Sequence, residues 1–311
     1  MRAACLFHPA GVSTARYHLP KFTRNRSPKA HISGYPMQPI TTNFMILADP
    51  QLGLGEFRKR RDAGSDPAVL RKRTDSHPSE WEDELARLNR AIDVANFLKP
   101  GFVAVLGDMV MQWDDERQLH SVNEAFNRLS HEIPLHRVSG NHDVGVDFLS
   151  PTTESLDWYR KNHGPDHYTF VSGSCRFIAI NSSLLDSPEL AEEQAASHLR
   201  WLELELTKPT AGEFSQTVIL SHHPPFLQSV SESDGAYSLR PGRRQIVEVL
   251  EKHGIEYIFA GHAHGNFIAR HNRLKVVVTS AIGLPQTGHR PGYRLVTIRP
   301  EGISHSFHLL D

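Results

Sequence analysis

The 311-residue chain has only two cysteines, Cys5 and Cys175, far apart and in unlike surroundings. That excludes a disulfide framework and a cysteine metal knuckle, so a reducing, cytoplasmic setting is the expectation. No apolar run approaches the ~20 residues needed to cross a bilayer, and no membrane span is expected. Charge of either sign is not in surplus, the formal net charge being -1. Without a global basic field, neither nucleic acid nor an anionic membrane is an expected partner, and any attraction for phosphate must be local. Acidic residues are absent from the first 48 positions, which carry Arg2, Arg16, Lys21, Arg24, Arg26 and Lys29. Residues 1–40 read as a disordered tail, as an organelle transit peptide, or as sequence ahead of a true start at Met37 or Met45. Prolines interrupt any amphipathic period there, which favours a tail or misplaced start over targeting.

What remains, residues 41–311, suits one large α/β domain. Strand-like runs alternate with helical patterns from residue 44 to about 260, the rhythm of βα units and a largely parallel sheet. The clearest helix starts at Ser79, where Glu82 completes a capping box and Trp81, Leu85, Leu88, Ile92 and Ala95 recur along one face before Pro100-Gly101. Further helices are expected at 116–130, 153–163, 191–207 and 242–253, with Gly164 and Gly254 as stops. Beyond Gly261 come β segments at 266–271, 275–280, 293–299 and 303–309. A mixed two-sheet core with helices outside accounts for this order.

Polar residues of metal-binding type stand directly behind the apolar runs. Asp49 and Gln51 follow Phe44 to Ala48, Gly107-Asp108 follows Phe102 to Leu106, and Gly140-Asn141-His142-Asp143 follows Ile133 to Val138. His222 follows Val218 to Leu220, and Gly261-His262-Ala263-His264 follows Tyr257 to Ala260. Short apolar runs read as buried strands, and open α/β sheets bind ligands beyond the carboxyl ends of their strands. Five tips are therefore expected to converge on one metal centre. The two oxygens of Asp108 can bridge two cations, and Gly107 admits close approach. Asp49 and Gln51, two apart in an extended segment, would point the same way, as would His262 and His264. Asn141 offers an amide oxygen and His222 an imidazole. Nitrogen and oxygen donors without thiolate suit Mn²⁺, Fe, Zn²⁺ or Mg²⁺.

This order of motifs resembles the calcineurin-like metallophosphoesterase superfamily. Ala48-Asp49-Pro50-Gln51-Leu52-Gly53, Ser79-Glu80-Trp81-Glu82, Val138-Ser139-Gly140-Asn141-His142-Asp143 and Ser280-Ala281-Ile282-Gly283 further resemble its calcineurin-like phosphoesterase domain-containing subgroup, associated with serine/threonine phosphatase activity. The resemblance implies a four-layer α/β/β/α sandwich with two mixed sheets and a dinuclear centre. Asp49, Gln51, Asp108 and His264 would hold one metal, and Asp108, Asn141, His222 and His262 the other. His142 would donate a proton, oriented by Asp143. Two divalent cations set against Asp49, Asp108 and one hydroxide leave about one positive charge for a phosphate. The expected partner is a phosphorylated substrate, a phosphoprotein or small phosphoester, hydrolysed as a monoester by metal-activated hydroxide. A diester, cyclic nucleotides included, is the alternative substrate, and a non-catalytic scaffold the alternative class. Gln51 stands where histidine is usual in the superfamily; its weaker amide donor points to manganese as the expected metal.

Several residues have a plainer reading. His222 rather than its neighbour His223 matches the subgroup ligand. The clusters Arg58 to Arg61 and Arg71 to Arg73, interspersed with Glu56, Asp62, Asp66 and Asp75, read as a solvated loop rather than a phosphate clamp. The segment with Arg240, Arg243 and Arg244 and the 283–292 loop could each rim the pocket, and helix capping and surface solvation explain them equally well. Trp81, Trp158 and Trp201 read as core.

Overall fold

In β1 (Thr42–Leu47), Phe44 and Ile46 face one way, Met45 and Leu47 the other, and all four are buried. A strand apolar on both faces needs a covering layer on each side. The computed structural model describes residues 41–73, 76–208, 216–232, 237–239 and 243–310. The tail expected at 1–40, Arg240, and the side chains of Arg243 and Arg244 lie outside it.

The other strands are β2 (Val103–Leu106), β3 (Leu135–Val138), β4 (Tyr168–Ser172), β5 (Cys175–Ala179), β6 (Gln216–Leu220), β7 (Tyr257–Ala260), β8 (Phe267–His271), β9 (Leu274–Val278), β10 (Gly292–Arg299) and β11 (Gly302–Leu309). They form one five-stranded sheet, β11-β10-β1-β2-β3, and one six-stranded sheet, β4-β5-β6-β7-β9-β8. Each is mixed: β1, β2 and β3 run parallel, as do β5, β6, β7 and β9, with antiparallel strands at the flanks.

Between the sheets lie Phe44, Phe102, Phe177 and Phe259 with Ile46, Leu106 and Leu220. The Phe44 and Phe102 rings stack at 4.6 Å, and Phe177 meets Phe44 edge-on at 5.3 Å. Truncating Phe44 to alanine would cost ~3–5 kcal/mol. The outer face of the first sheet packs on α3 (Glu82–Leu98), α4 (Glu116–Asn127) and α6 (Thr153–His163). That of the second packs on α8 (Glu192–Thr207) and α9 (Arg243–Lys252). The result is the α/β/β/α sandwich. Shorter helices are α1 (Leu54–Asp62), α2 (Pro67–Leu70), α5 (Asn141–Val144) and α7 (Ser182–Asp186).

Three expectations need correction. The β4–β5 hairpin was not anticipated, because Arg176 breaks the apolar run of β5 and β4 is only half-buried. No capping box forms at Ser79: a 3₁₀ turn over Pro78–Trp81 precedes α3, and the Ser79 hydroxyl turns back to His77 Nδ1 at 2.8 Å. The basic segment is no open loop, for α1 and α2 fill it. Arg60 pairs with Glu56, four residues back, and Arg60 and Arg73 converge on Glu80. Trp81 is core as expected, whereas Trp158 and Trp201 are half-buried.

Candidate metal centre

Parallel strands end on the same side, so the tips of β1, β2, β3, β6 and β7 carry their polar residues to one edge of the sandwich. Inter-sheet hydrogen bonds hold that edge together. His222 Nδ1 donates to the Leu106 carbonyl at 2.8 Å, and the His262 amide donates to both Asp49 carboxylate oxygens at 3.0 Å. Within the first sheet the Gln51 amide reaches the Asp108 carbonyl at 2.8 Å.

The backbone at the tips is not extended, contrary to expectation. Asp49, Gln51, Asp108, His262 and His264 all have positive φ, between 41° and 63°. Non-glycine residues avoid this region, and each is held there at a cost of ~1–3 kcal/mol. Five such residues at one edge mark a site the surrounding fold forces into shape. Gly107, at φ +83°, makes the turn in β2's wake, and a Cβ on it would come within 2.5 Å of His222 Nδ1.

Two groups of donors form. Ligand atoms of Asp49, Asp108 and His264 lie within 4.8 Å of one another, and so do those of His222, His223 and His262. The groups are joined: His222 Nε2 is 3.3 Å from Asp108 Oδ1, 2.9 Å from Asn141 Oδ1 and 3.1 Å from His262 Nδ1. Six of the seven sequence-derived ligands, Asp49, Asp108, Asn141, His222, His262 and His264, are thereby brought together, and Gln51 is tied to them through its backbone amide on the Asp108 carbonyl. His223, whose ring packs 4.2 Å from that of His262, joins them unexpectedly; its adjacency to His222 was the only signal.

Three imidazoles and one amide at the site are aimed by backbone carbonyls. His222 Nδ1 is committed to Leu106, His264 Nδ1 to Leu284 at 2.6 Å, and His142 Nδ1 to Met111 at 2.8 Å. A carbonyl only accepts, so Nδ1 carries a proton and Nε2 is the nitrogen left to face the centre. Asn141 Nδ2 donates to the Phe148 carbonyl at 2.6 Å, which turns its Oδ1 toward His222. The 283–292 loop, one of the two that could rim the pocket, thus contributes through the Leu284 carbonyl, and no side chain there signals that role.

Asp143 does not do what the resemblance implied. Its Oδ1 accepts from the Met109 and Val110 amides at 2.8 and 3.4 Å, and its Oδ2 from the Gly140 amide at 2.8 Å. Both oxygens are spent bracing the β2 and β3 tips, and Met111 orients His142 instead.

Asp49, Asp108 and Asp143 are at most 1% exposed, a concentration of carboxylates that burial alone opposes. Burial, resisted by the His222 charge and reinforced by that of Asp108, holds the Asp49 carboxyl well above its ordinary range. Burial acts likewise on Asp108, but the His222 and His142 charges outweigh it and keep that carboxyl below its usual value. Burial and then the Asp108 charge push Asp143 up to about 7. Burial disfavours the charged form of His222, yet the Asp108 carboxylate pushes it up to about 9, while burial lowers His264 to about 4.

The donor set fits a pair of cations. Gln51 Oε1 is buried with no hydrogen-bond partner, its Nε2 being turned to Met111 Sδ at 3.7 Å. A buried amide oxygen left without a donor, on the residue whose backbone amide is bonded to the Asp108 carbonyl, suits a hard cation.

Comparison with known proteins gives the same picture. The calcineurin-like phosphoesterase family matches residues 43–266. The serine/threonine-protein phosphatase CPPED1 of Mus musculus is 32% identical over 280 residues, 86% of this chain and 84% of that protein. Its counterpart in Pongo abelii is 30% identical over 278 residues, 86% of this chain and 83% of that one. A solved dimetal phosphatase from Danio rerio superposes with a TM-score of 0.57 at 16% identity, over 86% of this chain and 99% of that one, a likeness of fold alone.

Proposed function

This chain belongs to the calcineurin-like phosphoesterase family and is a metal-dependent phosphatase, and we propose that it removes phosphate from phosphoserine and phosphothreonine in proteins. The observation that carries the reading is the joined pair of donor groups meeting at Asp108, with His142 beside them. Asp49, Gln51, Asp108 and His264 would hold one cation, and Asp108, Asn141, His222 and His262 the second. Manganese is our assignment for the Gln51 position, where an amide oxygen replaces a softer imidazole; iron, zinc or magnesium would complete the pair.

When bound, the metals supply Lewis-acid polarisation of phosphoryl oxygens and a water of lowered pKa. The protein supplies the rest. Asp108 Oδ1 accepts the His142 amide at 2.9 Å, which ties the proton donor to the shared ligand. His142 Nδ1–H is engaged by Met111, so Nε2 is the atom that would carry a proton to the leaving alkoxide, a contribution of roughly 10²–10⁴-fold. The Phe148 ring, 4.7 Å from that of His142, limits its rotation.

The test is turnover by manganese-loaded protein of a phosphoserine peptide and an aryl phosphate monoester, against the matching diester. Faster diester hydrolysis would replace the monoesterase reading with a phosphodiesterase. A His142→Ala variant that keeps full rate at full metal content would overturn the mechanism.

A further inference from the structure

Arg58 differs from the other arginines of the basic segment. Arg60 pairs with Glu56 and Glu80, Arg61 with Asp62, and Arg73 with Glu80, while Arg71 lies over the Phe148 ring. Arg58 is half-buried and has, among the described residues, no carboxylate at ion-pair distance; Asp62, within electrostatic reach, is bonded by Arg61.

Its place on α1 brings it within electrostatic reach of the centre. The helix begins just behind Gln51, Leu54 is buried, and Arg58 stands one turn further along the same face. Phe57 beside it packs edge-on against Phe148 at 5.4 Å, and Phe148 lies against His142. Arg58 is within electrostatic reach of His142, His264 and Tyr237, which come from three different segments around the donor groups. Tyr237 is itself 6.2 Å, ring to ring, from His262. A half-buried guanidinium without an acid is poorly compensated unless an anion arrives.

We propose that Arg58 binds the phosphoryl group of the substrate and biases the centre toward dianionic monoesters over monoanionic diesters. The inference rests on the phosphomonoesterase reading above. A guanidinium presents a planar fork that matches two phosphate oxygens, and such charge-assisted pairs are the strong ones. A monoester carries close to two negative charges at neutral pH, whereas esterification of a second oxygen removes one of them. A cation additional to the metals therefore favours the monoester.

The experiment compares Arg58→Met and Arg58→Lys with wild type, and uses exposed Lys59→Met to control for net charge. Metal content and melting midpoint are measured for each. Titration of the manganese-loaded proteins with inorganic phosphate should show affinity weakened about 10- to 100-fold in Arg58→Met, partly recovered in Arg58→Lys, and unchanged in Lys59→Met. For the aryl monoester kcat/KM should fall by a similar factor, and for the diester by less than about threefold. Unchanged phosphate affinity in Arg58→Met at full metal content overturns the proposal, as does an equal loss on both substrates. Wild-type protein that binds phosphate through Arg58 but hydrolyses no monoester upholds the binding role and refutes the monoesterase reading instead.

Discussion

Asp143→Asn separates two roles for a residue beside the proton donor. The carboxylate accepts three backbone amides, two on Oδ1 and one on Oδ2. Asparagine keeps the shape but puts an NH₂ in place of one oxygen, and that group faces an N–H whichever way it turns. The cheaper orientation keeps the oxygen on Met109 and Val110 and orphans Gly140. One buried donor left unpaired costs ~1–3 kcal/mol. Part of this is offset, because the substitution removes a carboxyl that burial and Asp108 already push up to about 7. A net loss of ~1–2 kcal/mol lowers the melting midpoint by roughly 2–8 °C in a domain of this size. The consequence for the site follows from Gly140, which packs so closely on Asp108 that a Cβ would overlap the carboxylate, and which leads directly into Asn141. Loosening it should weaken metal affinity by about 10- to 100-fold, the usual effect of losing an outer support, with turnover recovering at saturating manganese. Thermal melts with and without metal, and activity titrated against manganese, measure both. Had Asp143 oriented His142, kcat would fall at every metal concentration while stability and metal affinity held; that result would refute the bracing role.

Chelation should abolish activity and Mn²⁺ should restore it best, with Gln51→His retaining metal longer on dialysis; full activity in protein shown by elemental analysis to be metal-free would sink the metal requirement. Metal loading at pH 7 should release at least one proton, since His222, which despite burial is pushed up to about 9 by the Asp108 carboxylate, is protonated in the metal-free chain. Apparent affinity then rises with pH toward about 9, and calorimetry in buffers of different ionisation enthalpy counts the protons; none released would refute the assignment. Stability should fall as pH drops from 6.5 toward 3, because burial lowers His163 and His198 to about 3 and His136 and His305 to about 4. Their folded values lie below the unfolded 6.5, so the unfolded chain takes up protons that the fold refuses. Urea midpoints at pH 7, 5.5 and 4.5 test this, and His198→Leu, which removes two unpartnered buried ring nitrogens, should make the decline shallower.

The ligands were legible because their chemistry resides in side chains and their position follows from burial. A strand such as β1 or β7, apolar on both faces, must stop where the sandwich stops, and polar residues directly behind it must stand at the edge. What was illegible was supplied by backbone. His222, His264 and His142 are aimed by the carbonyls of Leu106, Leu284 and Met111, and any residue offers a carbonyl. The left-handed turns at Asp49 and Asp108 follow from close inter-sheet packing, not from local preference. Asp143 departs for the same reason: the resemblance implied that it orients His142, while the backbone amides at Met109 and Gly140 needed its oxygens. The basic segment was misread because α1 is anchored by Glu80, 20 residues beyond Arg60, a pairing no local pattern encodes. Arg58 is conspicuous only once those pairings are known. Within this basic segment the arginine available to a substrate is the one that has, among the described residues, neither an acid nor a stacked ring, and identifying it requires the partners of Arg60, Arg61, Arg71 and Arg73 to be assigned first.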